Sequence, residues 1–262
     1  MIRFITLFSG SSGNATLISG NDTNILIDAG VSCAKICSAL SELGISPNEI
    51  DAILITHEHS DHICGVRVLS KKFNIPIFAT EKTLDEMNKA RVLHDIFPHN
   101  LRPIKSGESF EIREFEIFPF SIPHDAADPV GYSILAENKR YTVATDLGHI
   151  NERLLKCLCK SEVVLLESNH DVEMLKNGRY AYPLKKRILS DFGHLSNENA
   201  AWTATQLAMW GTGKIILGHL SNENNTPSLA YEATHDMLAK NGAQIGGDVI
   251  LKVAPRSGIL EI

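Results

Sequence analysis

Three histidines and one aspartate fall within six residues of this chain, as His57-x-His59-x-Asp61-His62. Imidazole and carboxylate are ligands that zinc, manganese and iron accept. On an extended loop, His57 and His59 present both imidazoles on one side. The chain then turns into a helix, so Asp61 and His62 diverge toward a second ion. Two ions roughly 3.5–4 Å apart share a bridging hydroxide in hydrolytic two-metal sites. A histidine-rich surface loop is the plain alternative, but composition alone gives such a window in roughly one chain in a thousand.

One cluster cannot close two sites, so more ligands must come from elsewhere. Asp28, His124, Asp146 and His219 each follow an apolar run, at residues 25–27, 118–122, 141–145 and 214–217. If those runs are strands, all four side chains can converge on one edge of the fold. Each alone serves equally well as a cap or a solvated polar residue. Their shared placement is what favours ligands.

The elements that must position them alternate along the whole chain. Apolar runs predict strands at 2–8, 15–19, 24–28, 52–56, 75–78, 115–120, 131–135, 141–145, 163–167, 214–217 and 248–252. Helical periodicity marks 33–43, 63–72, 82–90, 151–160, 184–190, 198–210 and 228–241. Between residues 110 and 145 the strands follow closely, which favours antiparallel pairing. Two mixed sheets with helices on their outer faces, an α/β sandwich, fit this order better than a Rossmann fold. No linker or low-complexity tract divides the chain, so residues 1–262 read as one domain.

Composition narrows the function classes. The 262 residues are 44% hydrophobic with a formal charge of -6, which argues mildly against non-specific coating of nucleic acid. No apolar run reaches membrane-spanning length, and residues 1–8 read as a first strand rather than a signal peptide. Five cysteines without a Cys-x-x-Cys pair suggest free, mostly buried thiols in a cytoplasmic protein. Cys64 reads as a small apolar residue on a buried helix face rather than a ligand.

The heptapeptide Gly-His-Leu-Ser-Asn-Glu-Asn occurs twice, at 193–199 and 218–224. In the first copy Ser196 is a fitting N-cap for the helix that follows. Residues 214–217 deliver His219 directly from a strand, which favours it over His194 as the ligand.

The pattern resembles the metallo-β-lactamase superfamily, a four-layer αβ/βα sandwich, along nearly the whole chain. By that resemblance the first ion takes His57, His59 and His124, the last within Pro123-His124-x6-Gly131-Tyr132. The second takes Asp61, His62 and His219, with Asp146 spanning both. Asp28 is implied as a carboxylate behind the loop that orients the ligands. The segments 8–14, 166–171 and 193–199 are more narrowly similar to the YycJ/WalJ group of bacterial hydrolases. That group implies 5′-to-3′ exonuclease action on DNA, and DNA repair. The chain has no room for the β-CASP domain of longer nucleases in the superfamily.

The expected reaction is attack on a phosphodiester by a hydroxide bridging two divalent ions, zinc or manganese, with Asp61 counted among the catalytic residues as well as the ligands. The leaving alkoxide needs a proton. His194 is the candidate donor, and because helix N-termini disfavour imidazolium, Glu167 is the candidate carboxylate beside it. The motif at 123–132 also resembles that of the tRNA 3′-processing nucleases, which use a Glu–His pair in matching positions. His170 is the alternative donor. The small-residue loop at 9–14, with Ser12 and Asn14, can cup a phosphate or form a plain hairpin. The stretch 179–187, with Tyr182, Lys185 and Arg187, combines rings and cations that suit a nucleic acid strand, or a solvated helix face. Competing functions are a small-molecule or cyclic phosphodiesterase, a thioester or lactam hydrolase, and a non-catalytic metal-binding regulator.

Overall fold

The apolar runs at 15–19, 24–28, 52–56, 163–167 and 214–217 are buried on both faces, which explains their lack of polar alternation. The computed structural model describes residues 1–262. Its first half comprises β1 (Arg3–Phe8), β2 (Ala15–Ser19), β3 (Asn24–Ile27), α1 (Cys33–Glu42), β4 (Ala52–Leu54), α2 (Ser60–Ile63), α3 (Val66–Phe73), β5 (Ile77–Thr80), α4 (Glu81–Lys89) and β6 (Leu101–Ile104). The second comprises β7 (Phe110–Ile112), β8 (Phe115–Ser121), β9 (Val130–Ala136), β10 (Lys139–Ala144), α5 (Glu152–Leu158), β11 (Val163–Glu167), α6 (Val172–Asn177), α7 (Tyr182–Ile188), α8 (Asn197–Met209), β12 (Lys214–Gly218), α9 (Pro227–Lys240), β13 (Ile250–Val253) and β14 (Ser257–Glu261).

Two seven-stranded sheets result, ordered β14-β1-β2-β3-β4-β5-β6 and β13-β12-β11-β10-β9-β8-β7. Each is antiparallel at one end and parallel at the other: β3 to β6 run parallel in the first, β10 to β13 in the second. The antiparallel run β7–β10 is the one predicted for residues 110–145.

Side chains alternate between layers along each strand. In β3 and β4, Ile25, Ile27, Ala52 and Leu54 point between the sheets, where they meet Phe115, Tyr132 and Leu165. Their neighbours Leu26, Ile53 and Ile55 face outward onto Ile36 and Leu40 of α1 and Leu69 of α3. In the second sheet Val164, Leu166, Ile215 and Leu217 meet Leu155, Ala204 and Leu238 from α5, α8 and α9. This is the four-layer αβ/βα sandwich. Near its functional edge Tyr132 donates to the Ile55 carbonyl at 2.7 Å, and Val130 N donates to the Thr56 carbonyl at 3.0 Å. Those bonds lock the chain entering His57 to the opposite sheet.

The differences from the predicted elements have local causes. The strands β6, β7 and β14, unmarked by any apolar run, are three of the four sheet edges, where one side is solvated; Pro103 within β6 is tolerated because an edge strand need not donate every N–H. The helix predicted over 63–72 is two helices broken at Gly65, whose N–H donates to the Ala29 carbonyl at 2.7 Å. That break also corrects the reading of Cys64, which is exposed at the end of the one-turn α2. All five cysteines are free. Ser196 caps α8 as predicted, accepting from Asn199 N at 3.3 Å.

Candidate metal centre

Five adjacent strand ends surround one cleft. Asp28 follows β3 and His57 lies just past β4; Asp146 follows β10, Glu167 ends β11 and His219 follows β12. Ligands in open α/β sheets gather at such carboxyl ends. Asp28, Asp146 and His219 have φ of 60°, 61° and 54°, a left-handed backbone uncommon outside glycine. Three left-handed residues at one edge fit a candidate functional site, where strain persists because the surroundings hold it.

The side chains face one another at contact distance. His59 Nδ1 lies 3.0 Å from His57 Nε2 and 3.2 Å from His124 Nε2. A second group forms where Asp61 Oδ2 lies 3.5 Å from both His62 Nε2 and His219 Nε2. Between them sits Asp146, with Oδ2 at 3.2 Å from His62 Nε2 and Oδ1 at 3.7 Å from His124 Nε2. Apart from that His62 contact nothing in the protein donates to buried Asp146 Oδ2, and a cation would satisfy it.

Four histidines have their other nitrogen already occupied. Thr56 Oγ1 holds His57 Nδ1 at 3.0 Å, and the Gly193 carbonyl accepts from His124 Nδ1 at 3.1 Å. Asp28 accepts from His62 Nδ1 at 2.7 Å, and Glu167 from His219 Nδ1 at 2.7 Å. In the neutral form each Nε2 is therefore left as a lone pair aimed inward, the arrangement that fixes tautomer and direction in metal-binding histidines. The donor set fits divalent ions.

Charge is distributed unevenly over the site. Burial alone would lower His62 and His219, but Asp146 and its fellow carboxylates outweigh it, taking His62 well above its ordinary value and His219 to about 10. Burial would raise Asp146, and the imidazoles of His219 and His62 overcome it, holding the carboxyl well below the usual range. His57, by contrast, is held well below its ordinary value by burial. The acid-rich end calls for positive charge, and the all-histidine end offers neutral donors.

His194 lies at the same cleft, with Nδ1 at 2.9 Å from Glu167 Oε1. Burial works to raise Glu167, but His194 and His219 hold its carboxyl down to about 2, so it remains an anion. His170 is buried, burial pushes it down to about 4, and neither ring nitrogen has a partner; it does not line the cleft.

The expected substrate contacts divide. Arg187 lines the cleft, paired through two nitrogens with Asp125. Tyr182 is exposed at the first turn of α7. Lys185 is turned away, its Nζ donating to the Lys176 carbonyl at 2.7 Å. Asn14 is a correction: it is buried, accepts from Gly10 N at 3.0 Å and directs its amide at Asp61 and His62, so it braces the loop and cups no phosphate. Ser12 is exposed, and Ser11 is the loop residue that faces the cleft.

A β-lactamase superfamily domain model matches residues 23–220. The chain is 39% identical over 246 residues to exodeoxyribonuclease WalJ of Streptococcus pneumoniae serotype 2 (strain D39 / NCTC 7466), covering 94% of this chain and 91% of that protein. The chain belongs to the β-lactamase superfamily. Within the superfamily it is also 36% identical to exodeoxyribonuclease YycJ of Bacillus anthracis, over 94% of this chain and 92% of that one. Solved structures share the fold: the metallo-β-lactamase fold protein YhfI from Bacillus subtilis (TM-score 0.72, 15% identity, both chains fully covered) and Zn(2+)-bound PqqB from Methylobacterium extorquens (TM-score 0.73, 18%, likewise fully covered). Superfamily membership makes this chain a metal-dependent hydrolase with a divalent-metal site built from histidine and aspartate. No helix is long and apolar enough to cross a membrane.

Sequence reasoning missed three contacts here: Thr56 behind His57, the Gly193 carbonyl behind His124, and the second bond of Glu167, to His219. The first had a signal, since Thr56 directly precedes the cluster. The others depend on which loops and strands become neighbours.

Proposed function

We propose that residues 1–262 form one domain that hydrolyses phosphodiesters with two divalent ions, zinc or manganese, and acts as a 5′-to-3′ exodeoxyribonuclease in the cytoplasm. One ion is held by His57, His59 and His124, the other by Asp61, His62 and His219, with Asp146 reaching both. When bound, the ions supply a nucleophile at neutral pH and neutralise charge on the phosphoryl oxygens. Asp28 keeps His62 in the tautomer that leaves Nε2 free. Glu167 holds a proton on His194 Nδ1 and orients the ring, so that Nε2 can hand a proton to the leaving oxygen. Arg187 offers a planar fork to a phosphate once it leaves Asp125.

The observation that carries this reading is the Glu167–His194 pair opening onto the same cleft as Asp61, Asp146 and His219. A proton donor beside a two-ion ligand set is what an alkoxide leaving group requires. The identity to proteins named exodeoxyribonucleases, over nine-tenths of the chain, supports DNA as the substrate. The cleft holds about 400 Å³ and none of its eight lining residues is hydrophobic, which gives an acyl chain no purchase and disfavours thioesters.

The test is cleavage of 5′- and 3′-labelled DNA and RNA, single- and double-stranded, with manganese or zinc. A ladder released from the 5′ end of DNA is expected. Preference for RNA, or cleavage from the 3′ end, overturns the substrate or polarity; inactivity on every phosphodiester with every divalent ion overturns the reading.

A further inference from the structure

We propose that Phe192 is a base-stacking residue of this site, holding a nucleobase that flanks the scissile phosphate. The inference rests on the phosphodiesterase reading above and names one contact for its substrate.

The cleft around Asp61, Asp146 and His219 is wholly polar, so it suits phosphate and sugar and offers nothing to a base. Phe192 lies two residues before His194 and is 57% exposed. Its loop is pinned by its own backbone to the loops that carry the ligands. Phe192 O accepts from Asp125 N at 3.1 Å, Gly193 O accepts from His124 Nδ1 at 3.1 Å, and Asp191 O accepts from His149 Nδ1 at 2.9 Å.

The packing there is backbone on backbone. A Cβ added at Gly148, two residues past Asp146, would fall 2.1 Å from the Asp191 carbonyl oxygen and 2.6 Å from Phe192 N. No side chain fits into that contact, and Phe192 beside it is left more than half exposed. The backbone that carries this ring is fixed at three points before anything binds, so stacking sacrifices little backbone freedom. Arg187, from the preceding helix, lines the cleft beside Asp125. One short segment thus carries a cation for phosphate and a ring for a base. Such pairing is how proteins hold single strands without reading their sequence, because every base has a π-face.

The test compares the wild type with F192A and F192W on single-stranded oligodeoxynucleotides, with the metal present. F192A should lower kcat/KM about tenfold, mainly through KM, since stacking on one base is worth roughly 5- to 150-fold. F192W should restore it. Substrates with an abasic tetrahydrofuran residue on one side or the other of the scissile bond complete the cycle. On one of them the wild type should fall to the level of F192A, and F192A should lose nothing further. Equal loss by F192A on intact and both abasic substrates, or no loss at all, overturns the proposal while leaving the function standing. A wild type that cuts no oligonucleotide overturns both.

Discussion

His194 and His219 hydrogen-bond to the same oxygen, Glu167 Oε1, at 2.9 and 2.7 Å. The duplicated heptapeptide thus brings its two histidines to one carboxylate. The copies share a local shape, since Ser196 Oγ accepts from Asn199 N at 3.3 Å and Ser221 Oγ from Asn224 N at 3.2 Å. Their strand contexts differ: His219 follows β12 into the ligand cluster, whereas His194 arrives from a loop and is partly exposed. One anion therefore orients both a proposed metal ligand and a proposed proton donor.

Variants should separate the two roles. H194A is expected to retain both metals and lose about a hundredfold in kcat on oligonucleotides, the usual contribution of a general acid. Its defect should shrink on bis(p-nitrophenyl) phosphate, whose leaving group needs no proton. E167Q should lose activity and also bind metal more weakly, by about tenfold. Metal analysis alongside kinetics decides it; full metal occupancy in E167Q would show that His219 needs no such support.

Asp28 makes a comparable prediction on the other sheet. Its carboxylate accepts from Thr56 N at 2.9 Å, Thr56 Oγ1 at 2.9 Å and His62 Nδ1 at 2.7 Å. D28N tolerates the positive φ, because asparagine adopts that region readily. The fold should survive, and metal affinity should fall about 10- to 100-fold. Titration calorimetry with manganese measures this; unchanged affinity would mean that packing alone orients His62.

The metal-free protein should show a distinctive pH dependence. His219 is raised from 6.5 to about 10, so its contribution is complete below pH 6.5 and is lost as pH rises through 10. Glu167 is depressed from 4.5 to about 2, so its contribution is present above pH 4.5 and is lost as pH falls toward 2. Burial holds His57 low, so its protonation opposes folding as pH falls below 6.5. In chelator, the melting temperature should therefore decline from pH 7 to 10. With manganese or zinc bound the decline should vanish, because the ion replaces those protons and binds better as they leave. A decline of equal size with metal present would count against metal binding at these histidines.

Much of this was legible in the sequence because the central strands are buried on both sides, and several of their apolar runs end at a candidate ligand. Asp28, Asp146 and His219 could be placed from those runs alone. The edge strands β6, β7 and β14 could not, since they are short and half-solvated, with a proline in β6 and a glycine in β14, and carry no such signal. The Glu167–His219 bond was equally hidden. It follows from β11 lying beside β12 with Glu167 opposite Gly218, a register no local pattern states. The Arg187–Asp125 pair joins residues 62 positions apart, through a helix and a loop that meet only in the folded chain. Long-range pairings of this kind are set by topology, whereas the ligands themselves are set by strand ends.

The most exacting local requirement falls on Gly30, and it supports the last prediction. Gly30 N donates to the Asn14 carbonyl at 2.8 Å, and Asn14 N donates to the Asp61 carbonyl at 2.8 Å. A Cβ at Gly30 would lie 1.6 Å from the Asp61 carbonyl oxygen, which is backbone and cannot rotate aside. G30A must therefore displace the Asp61–His62 turn and with it the second ligand group, whose contacts are 3.5 Å. Overpacking of this kind costs about 1–3 kcal/mol of stability. The larger expected effect is selective: weaker binding of one ion while the His57, His59 and His124 group keeps the other. Metal stoichiometry falling from two toward one in G30A would match that displacement, and two ions at wild-type affinity would show that the turn relaxes without moving Asp61.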